Sequence, residues 1–166
     1  MAHKVRETFY ILTLVAGLLE TFFGFFSGSF DGFSRYLHIF GHLAGGFATI
    51  TWIWTSVLLS YGRRPTSTHP LTRASIHFIS FASLTPIWLA LCIMILTQVP
   101  SECNLKRPSD GEAGGWCGNS ATAGAFAFTL FIFCGISAIV VYRAAKRSGS
   151  LAVNVAQTDK VGPEDV

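Results

Sequence analysis

The sequence predicts an all-α integral membrane protein in which four transmembrane helices form one bundle and both termini face the cytoplasm. Of its 166 residues, 51% are hydrophobic and only 13% are charged, whereas roughly 25% are charged in an average soluble domain. The mean hydropathy of +0.48 is typical of a chain that lies mostly in lipid. This composition excludes a disordered chain, a nucleic-acid-binding module built on basic patches and an ordinary soluble enzyme.

Four segments stay apolar over the roughly 20 residues that a helix needs to cross a bilayer. These predicted spans are residues 9–30, 36–60, 74–99 and 121–142. Outside them lie the N-terminal residues 1–8, three loops and a polar tail over residues 143–166. The tail is short and carries charges of both signs, so we expect it to be disordered and cytoplasmic.

The first span also has features of a secretory signal peptide. Lys4 and Arg6 precede it, and the small residues 27–29 lie near its end. However, its apolar run is longer than the roughly 7–15 residues of a signal-peptide core, and Glu20 interrupts it. We therefore predict that this segment is a transmembrane helix.

The distribution of positive charge predicts the orientation. Nine of the twelve Lys and Arg residues fall before the first span, between the second and third, or after the fourth. Cytoplasmic segments carry the excess of Lys and Arg, so both termini are predicted to be cytoplasmic. Arg143, Lys146 and Arg147 then lie directly below the membrane, where they are predicted to bind anionic lipid headgroups.

The loop between the third and fourth spans contains Cys103 and Cys117. In the predicted orientation this loop lies outside the cytoplasm, where a disulfide is chemically allowed. Closing a loop of about 15 residues would contribute about 3 kcal/mol in the chain-entropy model. We predict that these two cysteines are bonded, and that Cys92 and Cys134, which lie within spans, are reduced.

Glu20 lies near the middle of the first span, where an ionised carboxylate costs several kcal/mol unless it faces protein. The short connection between the first two spans makes them antiparallel neighbours. Counting from their shared end places His42 about 6 Å shallower than Glu20. This spacing predicts a hydrogen bond between Glu20 and His42. His77 lies near the cytoplasmic end of the third span, and we interpret it as a snorkelling or capping residue.

Small residues mark the faces on which the first two helices are predicted to pack. Glycine lets two backbones approach closely within a membrane. The predicted packing residues are Gly17, Gly24 and Gly28 in the first span and Gly41 and Gly45 in the second.

Three chemical interpretations compete with a structural role for these polar residues. His38 and His42 have the spacing of metal ligands, but nothing clearly completes the set of three or four that zinc needs. Haem would need histidines at matched depths on different helices, whereas His42 and His77 lie near opposite ends. A proton relay through Glu20 and His42 has no second carboxylate. We therefore expect these groups to hold helices together, with no catalytic residue, metal or cofactor.

Several short stretches resemble a known family. Arg73-Ala74-Ser75 opens the third span, Trp116-Cys117 lies in the outer loop, and Ala125-Phe126-Ala127-Phe128 opens the fourth. Over roughly residues 6–147, this pattern resembles the MARVEL-type tetraspan membrane proteins of fungi. Glu20 and the Phe-rich second half of the first span depart from the usual pattern.

The resemblance implies a non-enzymatic function: organising sterol-rich membrane, shaping vesicle traffic and supporting membrane apposition. Its implied partners are membrane lipids and other membrane proteins, in homo- or hetero-oligomers, at the plasma membrane or an endomembrane. No nucleic acid is expected to bind. The alternatives are a small proton-coupled transporter that uses Glu20 and His42, an accessory subunit of a larger membrane complex, and a membrane oxidoreductase.

Overall fold

Four long antiparallel helices make up most of the computed structural model, which describes residues 2–29, 35–103 and 113–158. The helices are α1 (Ala2–Ser29), α2 (Arg35–Gly62), α3 (Ala74–Leu96), the short α4 (Val99–Glu102) and α5 (Ala113–Arg147). A 3-10 turn, Pro70–Thr72, precedes α3. By length and composition, four of these helical segments could each cross a membrane. The described residues thus confirm the predicted all-α architecture.

The helices run beyond the predicted spans at most of their ends. The first begins at Ala2 rather than residue 9, and the last covers Ala113–Arg147 rather than residues 121–142. The third ends at Leu96, three residues earlier than predicted, before Pro100 and the short α4. Apolar length predicts only the part of a helix that lies in lipid, so it misses polar turns that continue beyond.

We name the two ends of the bundle after one residue of α1 at each end, Arg6 and Ser27. The Arg6 end carries the first turns of α1 and α3 and the last turns of α2 and α5. The Ser27 end carries the opposite termini of these helices. At the Ser27 end, Cys103 and Cys117 form the predicted disulfide, with their Cα atoms 4.7 Å apart. The residues between them from 104 to 112 lie outside the described part of the chain.

Packing is most extensive between α1 and α2, between α3 and α5, and between α1 and α5, while α2 and α3 touch much less. Trp88 fills the wider seam between α2 and α3, and its indole Nε1 donates to Thr51 Oγ1 over 3.3 Å. The largest fully buried apolar side chains include Trp88, Tyr10 and Phe81. Small residues such as Ala48 and Ala127 are also fully buried and keep the helices close together.

The predicted glycines form the contact between α1 and α2. A Cβ atom added to Gly24 would lie 2.7 Å from the backbone nitrogen of Gly45, and one added to Gly41 would lie 2.6 Å from that of Gly28. A Cβ atom on Gly17 would lie 3.1 Å from Trp52 Cβ. Backbone therefore meets backbone along most of this seam, which no larger residue would allow.

The tail was predicted to be disordered, but the structure shows that its described part is folded against the bundle. Helix α5 continues to Arg147, and the chain then folds back so that Val153 O and Leu151 O accept from the amides of Ala74 and Ser75 over 3.0 and 2.9 Å. The first amides of a helix have no partner within it, and here the tail supplies two acceptors. Val155 is fully buried, which adds apolar contact. The prediction is thus wrong for residues 143–158, and residues 159–166 lie outside the described chain.

Candidate functional site: a buried polar column

Glu20 lies fully buried inside the bundle, on the face of α1 that also buries Thr13 and Ala16. Neither of its carboxylate oxygens has a hydrogen-bond partner among the described residues. On α3, Cys92 lies close enough to interact with it electrostatically. Buried polar side chains in proteins almost always have a partner, so a buried carboxyl group without one is unusual.

The predicted hydrogen bond between Glu20 and His42 is not formed, and this prediction is wrong. His42 is exposed, and its Nδ1 lies 2.9 Å from the backbone oxygen of its own helix at His38. Its ring lies against Gly28 rather than Glu20. Gly28 and Glu20 are about 12 Å apart along the axis of α1. Counting from the loop gave the wrong register because the glycine contacts, rather than the loop, fix the pairing of α1 and α2.

His38 and His42 do come together, with ring centroids 4.7 Å apart, and both side chains are exposed. Within the described residues, no group of three or more His, Cys, Asp or Glu side chains is placed to hold a metal ion. The two histidines alone fall short of the three or four ligands of a zinc site.

His77 is fully buried instead of snorkelling, so this interpretation is corrected. Its Nε2 lies 2.9 Å from the backbone oxygen of Leu71, and its Nδ1 lies 2.9 Å from the Tyr10 hydroxyl. A carbonyl oxygen only accepts, so Nε2 donates to it. Tyr10 and His77 also stack, with ring centroids 5.8 Å apart. Through this pair, α1 is tied to α3 and to the turn that precedes α3.

Arginine side chains complete the Arg6 end. Arg6 is buried, and its guanidinium donates to the backbone oxygen of Val155 over 2.6 Å. Arg63 pairs with Glu7, its Nε donating to Oε1 over 2.8 Å. The tail, the start of α1 and the end of α2 are therefore joined by charged groups at this end.

Two more buried hydroxyls lie, in depth along the bundle axis, between Glu20 and the Tyr10–His77 pair. Thr55 Oγ1 and Ser137 Oγ are buried and have no hydrogen-bond partner among the described residues. We call the five residues Glu20, Thr55, Ser137, Tyr10 and His77 the polar column. All five are buried, and they come from α1, α2, α3 and α5.

The surface that would face lipid is apolar and aromatic. On α1, Leu18, Phe22, Phe25 and Phe26 line an open groove of about 440 Å³ together with the small hydroxyl residues Thr21 and Ser29. Phe22 is 63% exposed. At the other end of the molecule, the basic residues of α5 predicted to bind lipid headgroups are all exposed. They are Arg143, Lys146 and Arg147.

Comparison of the chain with known protein families, curated proteins and solved structures finds no match in any of the three. The MARVEL resemblance therefore depends on its short motifs alone. The structure places Cys117 of these motifs in the disulfide and Ala127 in the core.

Proposed function

We propose that this chain is a multi-pass membrane protein that organises its surroundings by lateral association with lipids and with other membrane proteins, without catalysis. Each candidate span buries only 28–39% of its most apolar window inside the described structure. The rest of each window is half-buried or exposed and mostly apolar, and a bilayer or a neighbouring helix would cover it. As the MARVEL resemblance implies, we assign it to sterol-rich regions of the plasma membrane or an endomembrane.

The aromatic groove on α1 is the observation that carries this proposal. Phe22, Phe25 and Phe26 stand side by side on a single helix, and the rings of Phe22 and Phe26 stack with centroids 5.9 Å apart. Aromatic side chains contribute large contact areas where two surfaces meet. A second membrane protein or a rigid lipid would gain more area here than on a face of aliphatic side chains.

Positive charge supports the proposed orientation. Arg6, Arg63 and the basic residues at the end of α5 all lie at the Arg6 end. With that end at the cytoplasmic surface, Arg143, Lys146 and Arg147 would contact anionic headgroups, at about 1 kcal/mol for each charge close to the surface.

The test is self-association in vesicles, with and without sterol, measured by energy transfer between donor- and acceptor-labelled copies. The triple variant Phe22→Ala, Phe25→Ala and Phe26→Ala should reduce energy transfer. The matched control is Ile39→Ala, Ile50→Ala and Ile53→Ala, because these exposed side chains lie on α2. Equal loss in both variants, or none in either, would refute a specific role for the groove.

A second candidate function is favoured by the carboxyl group of Glu20, which has no hydrogen-bond partner in the parts of the chain that the structure describes. It is a small proton-coupled transporter or an accessory subunit of a larger membrane complex. His42 has no place in such a mechanism, because it lies on the exposed surface and not beside Glu20.

A further inference from the structure

Polar atoms without partners are concentrated in one part of the bundle. Among the described residues, the buried side-chain oxygen and nitrogen atoms that lack a hydrogen bond belong to Glu20, Trp52, Thr55 and Ser137. Buried polar groups without a protein partner are the usual positions of internal water. The four residues lie around the middle of the bundle and come from three helices, α1, α2 and α5.

The helix register orders Glu20, Trp52 and Thr55 along the bundle axis. Gly17 on α1 faces Trp52 on α2. Glu20 lies three residues from Gly17 toward the Ser27 end, and Thr55 lies three residues from Trp52 toward the Arg6 end. Thr55 is therefore about 9 Å nearer the Arg6 end than Glu20 is.

Ser137 can be placed along the bundle axis in the same way. On α5, Gly135 faces Thr85, with 3.7 Å between its added Cβ atom and Thr85 Cγ2. Two residues further toward the Arg6 end comes Ser137, between the levels of Thr85 and Phe81. The ring of Phe81 contacts that of Tyr10, with centroids 4.7 Å apart. In depth along the bundle axis, Thr55 and Ser137 thus lie between Glu20 and Tyr10.

The column reaches a small opening at the Arg6 end. A cavity of about 10 Å³ is lined by Tyr10, Arg6, Glu7, Leu59, Gly62 and Arg63. This volume is on the scale of one water molecule. Tyr10 lines this cavity, and most of the other lining residues are polar, as a water site requires.

In the other direction, the bundle is closed by apolar and backbone contacts. Gly24 packs directly on Gly45, and the rings of Phe23 and Phe126 stack with centroids 5.5 Å apart. The next buried polar residue that the structure describes on α1 is Ser27, which accepts from Asn119. About 10 Å of helix separates Ser27 from Glu20.

We propose that Glu20 is a proton-binding site that exchanges with the compartment at the Arg6 end, through water held by the polar column. A proton from water at the cavity passes to a lone pair of the next hydroxyl or water, which releases its own proton onward. The last acceptor is a carboxylate oxygen of Glu20, which becomes a carboxyl O–H group. One proton moves and no redox change occurs, and release follows the reverse order.

Among the titratable groups that the structure describes, Cys92 on α3 lies near Glu20. Near the level of Glu20, α2 contributes the buried residues Ala48 and Thr51 and α5 contributes Ala127, none of which carries a charge. Proton exchange at Glu20 also does not require the aromatic groove, so this inference and the proposed lateral association can fail independently.

The experiment follows the carbonyl stretching band of protonated Glu20 by infrared spectroscopy of the full-length protein in lipid vesicles. The Glu20→Gln variant identifies the band by removing it. Transfer to D2O should shift the band as the carboxyl proton exchanges. In the double variant Thr55→Val and Ser137→Ala, this exchange should slow several-fold, because both relay hydroxyls are gone.

Ser120→Ala is the matched control, because Ser120 is buried on the same helix as Ser137 but lies toward the Ser27 end. It should exchange at the wild-type rate. The double variant should fold, because it removes hydroxyls that have no partner. The proposal is overturned if no band depends on Glu20 at any pH, if the double variant exchanges normally, or if Ser120→Ala slows exchange equally.

Discussion

At the scale of single residues, the polar groups of the bundle fall into two classes. Tyr10, His77 and Arg6 are buried and hydrogen-bonded. Glu20, Thr55 and Ser137 are buried and have no hydrogen-bond partner within the described part of the chain. The first class holds one end of the molecule together, whereas the second leaves polar groups without protein partners in the described core of the bundle. Substitution should therefore destabilise the first class more than the second.

Tyr10→Phe tests the first class. The change removes the hydroxyl that bonds His77 Nδ1 and leaves a buried ring nitrogen without its partner. We expect a loss of about 1 kcal/mol in the free energy of unfolding. Thermal unfolding in detergent would measure it. Tyr142→Phe is the control, because Tyr142 is exposed. An equal effect of both substitutions would show that the bond to His77 adds nothing.

The sequence predicts the contacts of some of these residues correctly and those of others not. Two cysteines in one short outer loop predicted the disulfide, because the redox environment and the loop length both favour it. The position of Glu20 in the core also followed from its charge. The partner of a polar side chain depends on helix register and rotation, which composition does not determine. For that reason the pairing of Glu20 with His42 was wrong and that of Tyr10 with His77 was missed.

At the scale of helices, small residues decide how closely neighbours pack. Gly24, Gly28, Gly41 and Gly45 could be identified from sequence because their spacing puts each pair on one helix face. Which helices pack against one another could not be predicted from the sequence in the same way. The proximity of α1 to α5, and the wide seam between α2 and α3, depend on large residues such as Trp88.

Gly24→Ala should strongly destabilise the contact between α1 and α2. The added methyl would meet the backbone of Gly45 at 2.7 Å, and a backbone cannot turn away as a side chain can. Overpacking of this kind costs about 1–3 kcal/mol. Gly46→Ala is the control, because nothing lies within 4 Å of its added Cβ atom. Chemical denaturation of both variants would measure the difference in the free energy of unfolding. Equal stability of the two variants would contradict the close packing of α1 against α2 at Gly24.

The tail segment 148–158 packs against the start of α3 as a separate structural element. Its fold could not be predicted from composition, because only one residue, Val155, is both apolar and fully buried. Hydrogen bonds carry much of the rest of the contact, among them those from the amides of Ala74 and Ser75 to the tail and from the Arg6 guanidinium to Val155 O. These bonds satisfy the start of α3, whose need for acceptors follows from helix geometry alone.

Val155→Asp should release this segment, because the structure buries that side chain completely. Hydrogen exchange at the amides of Ala74 and Ser75 should then accelerate, since Val153 O and Leu151 O would no longer accept from them. Ala152→Asp adds the same charge at an exposed position of the segment and should leave exchange unchanged. Unaltered exchange in Val155→Asp would mean that the tail does not protect these amides.

At the scale of the whole molecule, the two ends of the bundle differ in charge and in construction. The Arg6 end gathers most of the described arginines and lysines, the folded tail and the small cavity. Next to the Ser27 end lies the disulfide. The number of helices and the sequence-wide charge asymmetry are global properties, so both could be predicted from composition and spacing. The one-sided polar column could not, because it appears only when four helices are aligned in depth.

The final prediction concerns how this asymmetric molecule is oriented. Thr66→Cys and Ser109→Cys place thiols in the loops that are predicted to be cytoplasmic and external, respectively. On intact cells, an impermeant thiol reagent should label the Ser109 variant at once and the Thr66 variant only after permeabilisation, since cytoplasmic segments carry the excess of positive charge.

The wild-type chain supplies a low background for this measurement, because Cys92 and Cys134 are buried and Cys103 is bonded to Cys117. Labelling of the Thr66 variant on intact cells, with protection of the Ser109 variant, would invert the orientation. Inversion would move the opening beside Tyr10 to the external surface, so Glu20 would then exchange protons with the outside. The topology measurement therefore decides which compartment the polar column serves.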